Sequence, residues 1–534
     1  MENQAKTFAR EATGLVRTLG FLDQFVISQA IIVLVNGFVL TFFFAPYYFP
    51  GANLALVFAV GSIPAFAMSF VYAKMSAGMP RSGGDYVWST RILGPIFGSV
   101  QFVFLLFTTM IIGIVLSTWS NVTIAVSQLL YAFGVSSGNS GLVSFAQSLT
   151  TPGLFGTGWT LAMGLVLLDV VIAVFGLRVF AWFQRAGLAL YYISLAGFIA
   201  ILIAFDPNTF SGLFNSAMAA GGSSSTYASI LSQASAAGSP SFSLTNSLLA
   251  AIPWGFLTFT GFNFGAYLAG ETKNAKSTMW RSLFVSVIFT VIMLLGLCFL
   301  VYRDFNSNFI QAASYVQATN SGALATLPTP SFFASLSSPA AAAFVGISLI
   351  VGWIIVCVAY VVTISRMVFA ASFDRLLPNS LSKVSDRFHS PTIAVLLVGV
   401  VSWIFVTLYT IGNFYSTWLN YSLIPAIGYM MPLIAAALFP WVKKDLFKRT
   451  VGQFTSAAAI TVVSIVGIVA FATWFLSQSF PILTGVYIGS NLGYAYGAFI
   501  TTIILGLIIY GYGRWHARSL GIDLKQVYSE IPPE

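Results

Sequence analysis

The chain is 534 residues long, 58% hydrophobic and only 7% charged, with a formal net charge of +9. Soluble domains carry about 25% charged residues, so a water-soluble protein of this size would lack its polar shell. The composition excludes a soluble enzyme or a nucleic-acid-binding domain and demands lipid as solvent.

Residues 1–20 read as a polar cytoplasmic segment with Lys6, Arg10, Glu11 and Arg17, not as a cleaved signal peptide. Twelve apolar runs follow, near 24–47, 53–73, 96–121, 159–177, 183–205, 247–270, 282–302, 341–372, 391–411, 414–438, 455–477 and 493–513. Each is long enough to cross a hydrocarbon layer about 30 Å thick. The expected fold is an all-α integral membrane protein with twelve transmembrane helices.

Two runs are interrupted. The first, Phe25 to Phe44, is broken by Asn36-Gly37, and the sixth, Leu248 to Gly270, by the stretch from Thr258 to Asn263. A helix in lipid must satisfy its own backbone, so a polar, glycine-containing break at membrane depth belongs where it lines a cavity. Paired breaks in corresponding positions mark the substrate site of carriers built from repeats. Five runs precede the second broken one, so the second set enters from the opposite side. This gives a 5+5 inverted repeat with broken helices 1 and 6. The expected divisions are a first repeat over 21–205, an extracellular Ser/Gly-rich loop over 206–246 and a second repeat over 247–438. Helices 11 and 12 take 439–513, and 514–534 forms a cytoplasmic tail.

Charge fixes the orientation. With the N-terminus inside, Lys74, Arg81, Arg91, Lys273, Lys276, Arg281, Lys443, Lys444, Lys448, Arg449, Arg514, Arg518 and Lys525 all fall inside, and only Arg303 is clearly outside. That is the positive-inside asymmetry, so the net charge reports topology rather than nucleic-acid binding. The outer segments 134–158, 207–247 and 305–339 hold no charged residue. Their Ser, Thr, Gly and Ala content fits flexible linkers. It also fits a surface bathed in acid, where carboxylates would be protonated and could not offset Lys and Arg. On that second reading the host is an acidophilic prokaryote.

A severed helix exposes amides at one end and carbonyls at the other, which suit the carboxylate and ammonium of a zwitterion. The expected substrate-binding residues are Val33, Asn36, Gly37, Phe259, Thr260, Gly261 and Asn263. The carboxylate is placed near Asn36 and Gly37, and the ammonium near carbonyls at Val33 and Phe259-Thr260, with Phe259 as a gate. Asp169 is the one deep acid, read either as a proton carrier or as a partner of Arg178 or Arg185. Asp23, Asp85 and Glu271 are expected in ion pairs at the cytoplasmic gate with neighbours such as Arg81, Arg91 or Lys273. Thr363 and Ser365 offer hydroxyl oxygens to a sodium ion or simply bond to their own helix. Cys298, Cys357, His389 and His516 form neither a disulfide framework nor a metal-ligand pattern.

Three stretches resemble amino acid permeases of the amino acid-polyamine-organocation superfamily. They are Pro80 to Tyr86 with Arg91-Ile92-Leu93-Gly94-Pro95, then Phe259 to Asn263 with Leu268 to Asn274, then Ser365-Arg366 through Pro378 to Ser390-Pro391. The resemblance implies the twelve-helix inverted-repeat fold, with substrate between helices 1 and 6 and contributions from helices 3, 8 and 10. Departures occur at Val35-Asn36-Gly37, where the family has Gly-x-Gly, and at Asn263, where an acid is common. Tyr191 aligns where some proton-coupled relatives place a lysine.

The expected function is secondary active transport of an amino acid or related amine by alternating access, in a bilayer, without catalysis. No cofactor or metal is implied, and the coupling ion is H+ or Na+, with a proton favoured for an acid habitat. Substrate identity, symport or antiport, and oligomeric state stay open. The rivals are an exchanger or exporter of polyamines or amino acids, a channel, and a membrane sensor. A polyamine site should show carboxylates for the second positive charge, and a channel a continuous polar face along several helices.

Overall fold

The computed structural model describes residues 15, 17–32, 34–320, 323–411, 423–479, 492–522 and 524–528. Among them the chain is almost wholly helical, with an isolated bridge between Leu19 and Thr272 as its extended pairing. Lipid offers no hydrogen-bond partners, and a helix satisfies its backbone within itself.

Two short apolar helices come first, α1 (Phe21–Ile32) and α2 (Leu34–Tyr48). They are followed by α3 (Leu54–Gly78), the short α4 (Asp85–Leu93), α5 (Pro95–Ser137), α6 (Thr157–Val174) and α7 (Leu177–Ala204). Next come α8 (Leu244–Glu271), α9 (Ala275–Phe305), α10 (Pro339–Phe373) and α11 (Thr392–Ile411). The last are α12 (Leu423–Val442), α13 (Ala457–Ser479) and α14 (Leu492–Ser519). From α3 to α14, with α4 excepted, eleven are long and apolar enough to cross a membrane.

Burial sorts them into two layers. In the apolar windows of α3, α5, α8, α10 and α12, 61–78% of residues are buried, against 22–39% in α6, α7, α9, α11, α13 and α14. The first set is the protein's interior; the second carries exposed Trp182, Ile193, Ile292, Phe299, Val400 and Val469 outward. In water such a surface would aggregate, but against acyl chains it is the matching solvent contact. α1 lies inside the inner layer against α7, α8, α9 and α10.

α3 and α8 approach backbone to backbone. A Cβ on Gly61 would lie 2.5 Å from the Gly255 carbonyl carbon, and one on Gly255 would lie 2.5 Å from the Val57 carbonyl oxygen. Small residues at such a crossing give van der Waals contact where lipid supplies no hydrophobic drive.

The uncharged segments at the far end from Leu19 are not linkers. They fold as helices Ser140–Ser148, Phe210–Ala220, Tyr227–Ala236, Ser307–Thr319 and Pro330–Ser335. Their Ser, Thr and Asn residues are helix caps: Thr226 and Ser229 form a capping box, Asn139 caps Leu142 and Thr329 caps Phe332. Phe210 packs on Phe305 (4.9 Å) and Tyr227 stacks on Phe309 (4.3 Å), closing this cap around an aromatic cluster. The 206–246 loop of the sequence reading is thus largely two helices, the second of them closed by the Thr226 capping box. The third apolar run also continues past 121 to Ser137, because 122–126 remain apolar and helical through a π-turn.

Candidate substrate site

The interruption of α8 is built in steps. Leu244–Ala250 is α-helical, and the ladder loosens to a π-turn over Ala251–Gly255, where Pro253 has no N–H to donate. After Phe256–Thr258 it stops at Gly261, whose φ is +104°. Glycine adopts that value freely, and here its lack of a Cβ also matters. A Cβ would lie 2.6 Å from Ile31 Cγ2 and 2.8 Å from the Tyr360 hydroxyl. The chain then resumes as a tighter 3-10 helix, Phe262–Glu271. On the facing side α1 ends at Ile32 and α2 begins at Leu34, and Val33 lies outside the described residues.

A cavity of ≈ 40 Å³ sits between the α8 break and the described residues of α1 and α2. Ile31, Ile32, Leu40 and Thr41 line it from α1 and α2, and Leu257, Thr258 and Thr260 from α8. α5 contributes Leu116 and Ser117, and α10 contributes Trp353 and Tyr360. One water needs about 10–15 Å³ measured this way, so the space holds only a few. Thr41 and Thr258 share a hydrogen bond of 2.8 Å, and Thr258 and Thr260 also donate to the carbonyls of Trp254 (2.8 Å) and Leu257 (2.7 Å). No charged side chain is among the described lining residues.

Both ends are shut. Toward the cap, Trp254 stacks on Phe44 (5.0 Å) and Tyr48 (5.9 Å). Toward the N-terminal end, Phe264 packs on Tyr360 (5.5 Å) and Tyr429 (6.3 Å). Below these rings the amides of Thr18 and Leu19 donate to the Glu271 carbonyl (3.0 and 3.1 Å), and Lys273 donates to that of Leu19 (2.8 Å). Three ion pairs complete the seal: Asp23 with Arg185 (2.5 Å), Arg91 with Asp374 (2.5 Å) and Glu271 with Arg366 (3.0 Å).

A family model described as amino acid permease matches residues 19–515. The chain belongs to the amino acid permease family. Among curated proteins none matches it. This permease is therefore a multi-pass membrane transporter of amino acids and not an enzyme.

The permease's geometry sorts the residues singled out from the sequence. Thr260 lines the cavity; Gly261 sits at the break beside Ile31 and Tyr360. Phe259 and Asn263 are fully buried but do not line the cavity, and Asn263 neighbours the Tyr72 hydroxyl. Val33 lies outside the described residues, as do the side chains of Asn36 and Gly37. Their backbone falls within α2.

The coupling candidates are scattered. Asp169 is buried on α6, neither of its carboxylate oxygens has a hydrogen-bond partner, and Arg185 is bound to Asp23 instead. Tyr191 lines a separate ≈ 20 Å³ cavity between α7 and α10. Thr363 donates to Ala359 (2.9 Å) and Ser365 to Val362 (2.7 Å), both within α10.

Asp85 is not in an ion pair either. Arg91, its expected partner, holds Asp374, and the Asp85 carboxylate accepts from the Tyr72 and Tyr267 hydroxyls. Burial pushes it up to about 7, against the lowering effect of those two hydrogen bonds. The sequence reading missed Thr41, Ser117, Trp353 and Tyr360. Thr41 alone had a signal, as a hydroxyl flanking the first break as Thr258 flanks the second.

Proposed function

We propose that this permease is a secondary active transporter that moves a zwitterionic amino acid or a related amine across the cell membrane by alternating access. α1 and α2 together count as one broken crossing, which makes twelve, arranged as two five-helix inverted repeats with α13 and α14 added. Both termini then face the cytoplasm, and the uncharged cap faces an acidic exterior.

The observation that carries the reading is a cavity between the broken α8 and the described residues of α1 and α2, with no charge on its described lining. A zwitterion's charges must then be met by backbone. Amides around Asn36 and Gly37 receive the carboxylate. Carbonyls near Val33 and at the Phe259-Thr260 break of α8 receive the ammonium. A polyamine offers a second cation and no anion, and no carboxylate is among the described lining residues to meet it.

Purified protein in proteoliposomes, loaded with unlabelled substrate and offered a panel of radiolabelled amino acids and amines, tests this. Accelerated exchange of at least one neutral amino acid, with diamines inert, is expected. Exchange of diamines alone, or of nothing in the panel, overturns it.

A further inference from the structure

Asp85 opens α4, in the segment joining α3 to α5, and is wholly buried. One carboxylate oxygen accepts from Tyr72 of α3 and the other from Tyr267 on the 3-10 limb of α8. The turn before it is pressed onto that limb. Gly83 has φ +95° and donates its amide to the Tyr267 carbonyl (3.1 Å), and a Cβ there would lie 2.4 Å from the Ala370 Cβ. The carboxylate is thus the joint between a connecting segment and the half of α8 beyond the break.

The other groups around it are neutral or engaged elsewhere. Tyr429 of α12 faces the carboxylate and stands beside Thr260, a cavity-lining residue. Asn263 lies beside Tyr72. On the packed elements, Arg366 of α10 holds Glu271, Asp374 at its end holds Arg91, and Lys74 of α3 lies over the Trp280 ring at 4.3 Å. Thr260 and Tyr429 therefore stand between the substrate cavity and a buried acid that meets phenols where a cation would be expected.

We propose that Asp85 is the proton-binding site that couples a proton gradient to substrate movement in this permease, an inference that rests on the carrier reading above. The step is protonation alone: the carboxylate gains one proton from the side of the cavity and releases one to the cytoplasm, with no other bond made or broken. The sign follows from burial. With the N-terminal end shut, desolvation raises the carboxyl's affinity for a proton. Opening that end parts the Tyr267 limb from α4 and wets Asp85, so its pKa falls toward the ordinary carboxylate range and the proton leaves. Acid therefore favours the shut N-terminal end, and an alkaline cytoplasm favours its opening. Net entry of substrate and proton in one cycle is the result.

The test uses full-length protein in proteoliposomes containing trapped pyranine, with a mixture of the twenty common amino acids as probe. For the native chain, adding the mixture should acidify the interior, and an inside-alkaline gradient should drive accumulation. Asp85→Asn should lose that accumulation at least tenfold and leave pyranine silent, while counterflow, which needs no net proton movement, persists at a reduced rate. Tyr267→Phe removes a hydrogen bond that lowers the Asp85 pKa, so the pH midpoint of uptake should move upward, a shift that a purely structural role would not give. Gradient-driven accumulation by Asp85→Asn, or native accumulation indifferent to the gradient, overturns the proposal and leaves the carrier standing. If Asp85→Asn fails to insert, an unmoved midpoint in Tyr267→Phe overturns it. Absence of any native counterflow sinks the carrier reading and this proposal with it.

Discussion

Gly261 holds a φ of +104° with Ile31 and Tyr360 closing on the place where a Cβ would stand. Gly261→Val must therefore strain the backbone by about 1–3 kcal/mol and push α1 from α8. Uptake in proteoliposomes should vanish while a folded, monodisperse protein is still recovered in detergent. Unchanged uptake would remove the break from the mechanism. The Glu271–Arg366 pair makes a different prediction, because both side chains are 1% exposed. Arg366→Met strands a buried carboxylate and should cost about 3–5 kcal/mol, seen as a lower thermal midpoint, with Glu271→Gln added to it recovering most of the loss. The α8 break was legible because Gly261 lies among polar residues in an apolar run. Trp353 and Tyr360 of α10 and Ser117 of α5 were not, since they lie far in sequence from either expected break and a lone Trp or Ser in a membrane run looks like packing. The same blindness paired Asp85 with arginines. Opposite charges nearby in sequence suggested a bridge, but the fold spends Arg91 on Asp374 and gives Asp85 to Tyr72 and Tyr267.

Between helices, the α3–α8 crossing depends on Gly61 and Gly255. Gly61→Val overpacks that contact and should destabilise by about 1–3 kcal/mol. A thermal-shift assay should report this, whereas Gly164→Val on α6, where a Cβ meets open space, should change little. The cap gives a second test. Segments 207–247 and 305–339 have no carboxylate to titrate. Their hydrogen-exchange protection, corrected for intrinsic pH dependence, should match at pH 7 and pH 3. A collapse at pH 3 would show that acid tolerance is not what their composition achieves. Apolar runs located the membrane helices but often misplaced one end by more than a turn, because hydropathy marks the lipid-buried stretch and not where the helix stops. The cap helices escaped notice since capping residues and linker residues are the same Ser, Thr and Asn. Only the clustering of Phe210, Phe305, Phe309 and Tyr227 in space tells them apart.

For the molecule as a carrier, the shut N-terminal end must part once per cycle. Leu19 and Thr272 are bridge partners there. Oxidising a Leu19→Cys, Thr272→Cys protein should therefore arrest uptake, with full recovery on reduction. Cys298 and Cys357, the two native cysteines, are replaced by Ser in that variant so that only the introduced pair can cross-link. Uptake undiminished in the cross-linked protein would contradict a moving gate at this point. The all-helical membrane architecture was legible from composition alone. Depth of closure was not, because it depends on rings and ion pairs drawn from chain segments hundreds of residues apart. The backbone tie from Thr18 and Leu19 to Glu271 and Lys273 has one more consequence. A binder, a phosphate or a protease acting on the opening stretch of polypeptide would be pulling, through a few amide contacts, on α8 itself. Throughput would then be throttled from that face of the protein without touching the bilayer-embedded pocket.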